Sequence, residues 1–109
     1  MEFKKIPFEQ NTKTELSEAE IAAAKKNYGD VYLIEVGGKK IYMHEPTRQI
    51  FDLAQTSAIK RPSLFEETIM TNCWLAGDKE ILDDTELFYG AARKINEITK
   101  VAEAELKKL

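Results

Sequence analysis

Residues 30–45, with the sequence DVYLIEVGGKKIYMHE, decide the fold of this chain. Two runs rich in β-branched and aromatic residues flank Gly37-Gly38, and paired glycines between such runs are typical of a two-residue hairpin turn. A two-residue turn fixes the register, because Val36 must then lie opposite Lys39 and every other pair follows. The further pairs that this register predicts are Glu35 with Lys40, Ile34 with Ile41 and Tyr32 with Met43.

The two faces of this hairpin differ in character. One face collects large apolar side chains, which are Tyr32, Ile34, Val36, Ile41 and Met43. The other face is mixed: it holds Val31, Leu33, Tyr42 and His44, with a predicted cross-strand charge pair between Glu35 and Lys40. A lone hairpin is marginally stable in water, so we expect helices to cover the apolar face.

The chain before the hairpin is predicted to form an arm and a helix. Residues 1–16 are polar apart from a few large side chains, and Pro7 favours an extended arm over a helix there. Phe3, Ile6 and Phe8 should dock this arm, either on its own core or on a partner. Ser17 followed by Glu20 is a capping box, which predicts a surface helix over 18–28.

Two further helices are predicted directly after the hairpin. The apolar spacing predicts one over 47–60 and a second over 64–76. Ser63 and Glu66 form a second capping-box pattern at the start of the latter, and Gly77 is placed to end it. The sequence therefore predicts helices, and no strand, between the hairpin and Gly77.

The last helix is the longest predicted element. After an acidic connector over 78–83, which carries the exposed-looking pair Ile81-Leu82, Asp84 is a suitable N-cap and the helix could run to Leu109. About 25 residues make a rod of roughly 38 Å, against a diameter of about 34 Å for a domain of this size. Such a helix either packs across its own domain or presents an end to a partner.

These elements define the fold class and the domains. We expect an arm over 1–16 and a single α+β domain over 17–109, mostly helical, with one β-hairpin packed by about four helices. A chain of 109 residues has room for one compact domain.

Composition excludes several classes of protein. The formal charge of −3 argues against a dedicated nucleic-acid binder, and the basic doublets from Lys4-Lys5 to Lys107-Lys108 are interleaved with acids. One cysteine and one histidine exclude a disulfide framework and a zinc site built from Cys and His within one chain. The sequence has no apolar run long enough to cross a bilayer and begins without a secretory signal pattern, so we expect a cytoplasmic protein.

The residues with catalytic potential do not form a catalytic pattern. Cys73 lies on an apparently buried helical stripe, where cysteine behaves as a small apolar residue. His44 should be at the surface or half-buried, and as strand neighbours His44 and Glu45 point to opposite faces. The carboxylate pairs Glu66-Glu67 and Asp83-Asp84 fit helix starts rather than a metal site. We therefore expect no enzyme activity, no cofactor and no metal.

Three stretches resemble a known family. They are VYLIEVGGKKIYMHEPTR, LFEETIMTNCWLAGD and the closing helix from Asp84. From Gly29 to Leu109 the layout is similar to that of the small tail assembly chaperones of long-tailed bacteriophages. In similar proteins a short hairpin runs into a helix start like Pro46-Thr47-Arg48, and a Lys-rich helix ends the chain.

The resemblance implies a function without catalysis. Such proteins bind the long, largely helical tape-measure protein in the host cytoplasm and are displaced as tail-tube subunits assemble around it. A surface that covers apolar helical stripes is what this task requires. The candidate partner contacts are large apolar groups near helix ends and the connector, namely Phe65, Trp74, Ile81, Leu82, Leu87 and Phe88.

Two other functions remain open at this point. One is a structural or adaptor protein of a virion whose long helix and arm form a stable homo-oligomer. The other is a small regulator that gathers its basic doublets on one face to bind nucleic acid, in which case its binding would weaken steeply as salt rises.

Overall fold

The hairpin forms with the predicted register. The computed structural model describes residues 2–99 and 104–109, and in it β1 (Val31–Val36) pairs antiparallel with β2 (Lys39–His44). All four predicted pairs are present, from Val36 with Lys39 to Tyr32 with Met43. Gly37 and Gly38 have φ angles of 54° and 76°, which is the turn geometry that glycine adopts without steric cost.

A third strand completes the sheet, and the sequence did not predict it. β3 (Trp74–Gly77) pairs antiparallel with β2, so the strand order is β1-β2-β3. The predicted helix over 64–76 is wrong beyond Cys73, because the chain becomes extended at Trp74. All four residues of β3 are buried, and a fully buried strand carries no polar alternation to distinguish it from a helix.

In the part of the chain that the structure describes, five helices accompany the sheet. Their bounds are α1 (Glu18–Tyr28), α2 (Arg48–Ala58), α3 (Leu64–Cys73), α4 (Glu80–Asp83) and α5 (Thr85–Ile98), and a short 3-10 turn covers Phe8–Gln10. The capping box at Ser17 and the Asp84 cap are confirmed, since both side chains accept the expected backbone N–H. Ser63 makes no cap hydrogen bond, so the second predicted capping box is wrong. The fold is α+β, as predicted.

The sheet is covered on both faces. On one face, Ile34, Ile41 and Met43 join the main core with residues of α2, α3, α4 and α5. On the other face, Tyr42 packs with Ala24 of α1 and with nearby residues of the arm and β3. On the face that the sequence marked as mixed, Tyr42 and His44 of β2 are therefore buried, whereas Leu33 and Glu35 of β1 remain exposed. The predicted Glu35–Lys40 pair is absent among the described ion pairs, because the Lys40 ammonium contacts Glu15 instead.

The last helix is shorter than predicted. α5 ends at Ile98, so its 14 residues span about 21 Å rather than 38 Å. Residues 104–109 are described without helix, and Leu106 and Leu109 are fully exposed there. Most helical stability in proteins comes from packing, and these leucines have no core to pack against. Residues 100–103 of the predicted helix lie outside the described residues.

The connector is also more buried than predicted. It forms the single turn of α4, and Ile81 is completely buried in the main core while Leu82 is half-buried. The expectation of an exposed Ile81 was wrong because α4 turns this side chain inward. Leu82 packs against the same core from its edge.

The N-terminal arm packs on its own chain. Phe8 contacts Trp74 edge to face at 5.1 Å, and the Lys13 carbonyl accepts the Gly77 N–H at 2.9 Å. The buried Asn11 side chain donates to the Leu75 carbonyl at 3.0 Å. These contacts place the arm along the outer edge of β3. No helix in the described residues is long and apolar enough to cross a membrane.

Candidate functional site

Three of the six predicted partner contacts belong to the core. Trp74 and Ile81 have no exposed surface, and Phe88 is only 7% exposed. All three are members of the main core cluster. Trp74 and Ile81 therefore support the fold and do not offer a surface to a partner in this conformation.

The structure nevertheless brings two of the six predicted residues together in a groove. Leu82 and Phe88 line it with Tyr89, at the junction of α3, α4 and α5. We call this feature the helical groove; its volume is about 180 Å³, and its remaining lining residues are Arg61, Ser63, Glu67, Asp83 and Thr85. Tyr89 is 52% exposed, so it is the most accessible apolar group of the three.

The other two predicted contacts lie elsewhere. Phe65 is half-buried and packs edge to face on Phe51 at 5.7 Å, which joins α3 to α2. Leu87 is half-buried beside the hairpin turn, where a Cβ added to Gly37 would lie 2.5 Å from its methyl group. Neither residue lines the helical groove, so the six positions form no single surface.

A second groove lies between β1 and the end of α5. Its volume is about 320 Å³, and we call it the strand groove; its lining residues are Tyr32, Leu33, Ile34 and Glu35 of β1 and Lys94, Glu97 and Ile98 of α5. Gly90 positions α5 for this arrangement, because a Cβ there would lie 2.7 Å from a methyl group of Val36. Sequence reasoning missed this groove, since no single element contains it.

The strand groove borders a backbone edge. The Glu45 N–H donates to the Asp30 carbonyl at 2.9 Å, so Asp30 and every second residue after it turn their backbone groups toward β2. The backbone N–H and C=O groups of Val31, Leu33 and Glu35 therefore point away from β2. Within residues 2–99 and 104–109, no hydrogen bond reaches these outward groups. Leu33 is 47% exposed beside them.

A buried polar cluster ties the start of the arm to the sheet. The Lys5 ammonium donates to His44 Nε2 at 2.8 Å and to the Asn72 carbonyl, while His44 Nδ1 lies 2.7 Å from the Glu45 carbonyl. The His44 ring also stacks on Tyr28 at 5.0 Å. His44 is only 2% exposed, so the expectation of a surface or half-buried histidine was wrong. The partners come from distant parts of the sequence, which is why no local pattern revealed them.

The pKa shifts in this cluster reflect burial. Desolvation lowers the pKa of His44, and the nearby Lys5 charge lowers it further. Desolvation also lowers the pKa of Lys5. A neutral imidazole with its proton on Nδ1 can accept from Lys5 and donate to the Glu45 carbonyl. The cluster is therefore a tether for the arm, in which both ring nitrogens of His44 and the Lys5 ammonium have partners within the chain.

Cys73 lies beside this tether. It is completely buried, and desolvation raises the pKa of its thiol to about 12. A thiol with so high a pKa is protonated at neutral pH and is a poor nucleophile. Among the described residues, no group of three or more His, Cys, Asp or Glu side chains is placed to hold a metal ion.

Several basic doublets are paired with acids. Lys39 contacts Glu80 at 2.9 Å, and Lys94 contacts Glu97 at 3.5 Å. Lys5, from a third doublet, is half-buried and bonds to His44 and the Asn72 carbonyl. No family model, curated protein or solved structure matches this chain.

Proposed function

We propose that this chain is a tail assembly chaperone that acts without catalysis and binds the tape-measure protein of a long-tailed bacteriophage. The resemblance of the hairpin and of the segment around Asn72-Cys73-Trp74 supports this function. The observation that carries the proposal is the helical groove, where the exposed Tyr89 lies beside the half-buried Leu82 and the nearly buried Phe88.

The chemistry of the helical groove suits an apolar helical partner. Its lining combines the apolar Leu82, Phe88 and Tyr89 with charged residues of both signs, Arg61, Glu67 and Asp83. An amphipathic helix binds such a groove by inserting apolar anchors while its flanking polar residues meet the rim. A volume of about 180 Å³ accommodates one or two side chains. The occupant that we propose is the apolar stripe of a tape-measure helix.

The size of the helical groove also fits a chaperone that must later dissociate. Stable complexes bury about 1,200–2,000 Å² in total, far more than a groove for one or two side chains provides. A single small contact gives weak binding. Repeated contacts along a long helical partner would add avidity, and each could be displaced in turn by tail-tube subunits.

Co-expression with the tape-measure protein tests the proposal. The wild-type chain should keep the tape-measure protein soluble and should co-purify with it. Tyr89→Lys places a charge in the helical groove and should reduce the recovered complex at least about tenfold, because the lysine ammonium must be desolvated to bind there. The variant is soluble and folded if its circular dichroism spectrum matches that of the wild type.

Leu53→Lys is the matched control. Leu53 is 49% exposed on α2, close to the 52% of Tyr89, but it does not line the helical groove. This variant should recover the tape-measure protein as well as the wild type does. Equal loss in both variants, or no complex with the wild-type chain, would contradict the proposal.

A further inference from the structure

The outer edge of β1 has the features of a pairing surface. Val31, Leu33 and Glu35 direct backbone N–H and C=O groups away from the sheet, and no described residue hydrogen-bonds to them. Exposed edges in natural proteins are usually blocked by charged side chains, especially lysine, by proline, by a bulge or by a covering segment. The strand VYLIEV carries one charge, Glu35 near its end, and contains no lysine or proline, and its pairing with β2 is regular over its whole length.

Two copies of this edge can pair in register. The three outward residues are placed symmetrically about Leu33, so a two-fold axis there brings Leu33 opposite the partner's Leu33 and Val31 opposite the partner's Glu35. In that register the outward groups of each strand meet those of the other in hydrogen-bonded pairs. We propose that two copies of this chain associate through antiparallel pairing of their β1 strands, which joins their sheets into one of six strands.

Charged side chains stand beside the same edge. Lys94 and Glu97 of α5 line the strand groove together with residues of β1, and both side chains are more than half exposed. Each copy therefore presents one positive and one negative side chain next to the edge, and these can pair with their counterparts in the second copy.

Apolar burial favours a second copy over solvent at this edge. Leu33 is 47% exposed and would be covered by the partner's Leu33 on one face of the joined sheet. On the other face, Tyr32 of one copy lies opposite the partner's Ile34, and both residues line the strand groove of about 320 Å³. Cross-strand pairs of aromatic and β-branched residues stabilise sheets. The strand groove is then part of the contact between the two copies.

Molar mass in solution tests the proposal. The wild-type chain should populate a dimer of twice 12.5 kDa as its concentration is raised. Leu33→Lys places two like charges opposite each other and should weaken the dimer about tenfold or more. Leu53→Lys introduces the same charge at a position of equal exposure on α2 and should leave the dimer unchanged. A chain that stays at 12.5 kDa at every soluble concentration, or a dimer that is indifferent to Leu33→Lys, would overturn the proposal.

A cross-linking variant tests the register itself. In the proposed pairing the two copies of residue 33 form a hydrogen-bonded pair with Cα atoms about 5.5 Å apart, which is within the range that a disulfide spans. Leu33→Cys should therefore form a covalent dimer on mild oxidation, whereas Leu53→Cys should remain largely monomeric. The native Cys73 is buried and should not compete. Equal cross-linking of the two variants would overturn the register.

This interface is independent of the tape-measure proposal. Tyr89→Lys should leave the dimer intact, because Tyr89 lines the helical groove and not the strand groove. Leu33→Lys should leave tape-measure binding intact, because Leu33 lines the strand groove and not the helical groove. Failure of one proposal is therefore distinguishable from failure of the other.

Discussion

The two edges of the sheet differ in whether other parts of the chain hydrogen-bond to them. The edge of β3 is covered by the N-terminal arm, with a backbone hydrogen bond from Gly77 to Lys13 and a side-chain bond from Asn11 to Leu75. The edge of β1 receives no such hydrogen bonds from the described residues. A three-stranded sheet has two edges, and the N-terminal arm of this chain covers one of them.

This contrast separates a structural role from an interaction role. The covered edge lies against the buried residues of β3, whose carbonyl and N–H groups would be costly to leave unpaired. The open edge belongs to a strand whose outward side chains are partly exposed and whose backbone can reach water. The arm is therefore a component of the core, and β1 is the part of the sheet that remains able to accept a strand.

Among substitutions that test the covered edge, Gly77→Ala should lower the free energy of unfolding most. A Cβ at Gly77 would lie 2.6 Å from the Lys40 carbonyl oxygen and 2.9 Å from the Ile41 Cα, and both atoms belong to the backbone of β2. The φ of 151° at Gly77 adds strain. We expect the free energy of unfolding to fall by roughly 3 kcal/mol or more, measured by urea denaturation.

Gly38→Ala is the matched control on the hairpin turn. Gly38 also has a positive φ, of 76°, but nothing lies within 4 Å of an added Cβ. Only the backbone strain applies, so the loss should be about 1–2 kcal/mol. Equal losses at Gly77 and Gly38 would show that β3 is not held as tightly between β2 and the arm as the structure indicates.

A smaller effect is expected from Asn11→Ala, which removes the arm's side-chain contact with β3. The Asn11 amide donates to the Leu75 carbonyl, and its oxygen accepts the Lys13 N–H at 2.9 Å. Leaving these buried groups unpaired should cost about 1–3 kcal/mol in the free energy of unfolding. Asn96→Ala, at an exposed site on α5, should change it by less than about 0.5 kcal/mol. A loss at Asn11 no larger than that at Asn96 would mean that the arm does not support the β3 edge.

An element of the fold was predictable from the sequence when the residues that determine it lie close together in the chain. The hairpin register was predictable because Gly37-Gly38 sets it within the turn itself, and the start of α1 was predictable because Ser17 and Glu20 meet within one helical turn. β3 was missed because Phe65, Ile69 and Cys73 continue a helical spacing up to the point where the chain becomes extended. The pairing that makes Trp74 a strand residue comes from β2, more than 30 positions earlier.

The candidate site was less predictable than the fold. Apolar size and position near helix ends selected Leu82 and Phe88, which do line the helical groove, but the same criteria selected the buried Trp74 and Ile81. Burial depends on how α4 and β3 pack, and those elements have no strong local signal. The open edge of β1 was unpredictable for a related reason, since an edge exists only once the strand order is known.

Amide hydrogen exchange, measured residue by residue by NMR at low and high protein concentration, tests the contrast between the edges most directly. The Gly77 N–H, bonded to Lys13, and the Ile34 N–H, turned toward β2, should be protected at both concentrations. The Leu33 N–H should exchange rapidly in dilute solution and become protected as the concentration rises. Protection of Leu33 in dilute solution, or rapid exchange of Gly77, would contradict the account of one covered and one open edge.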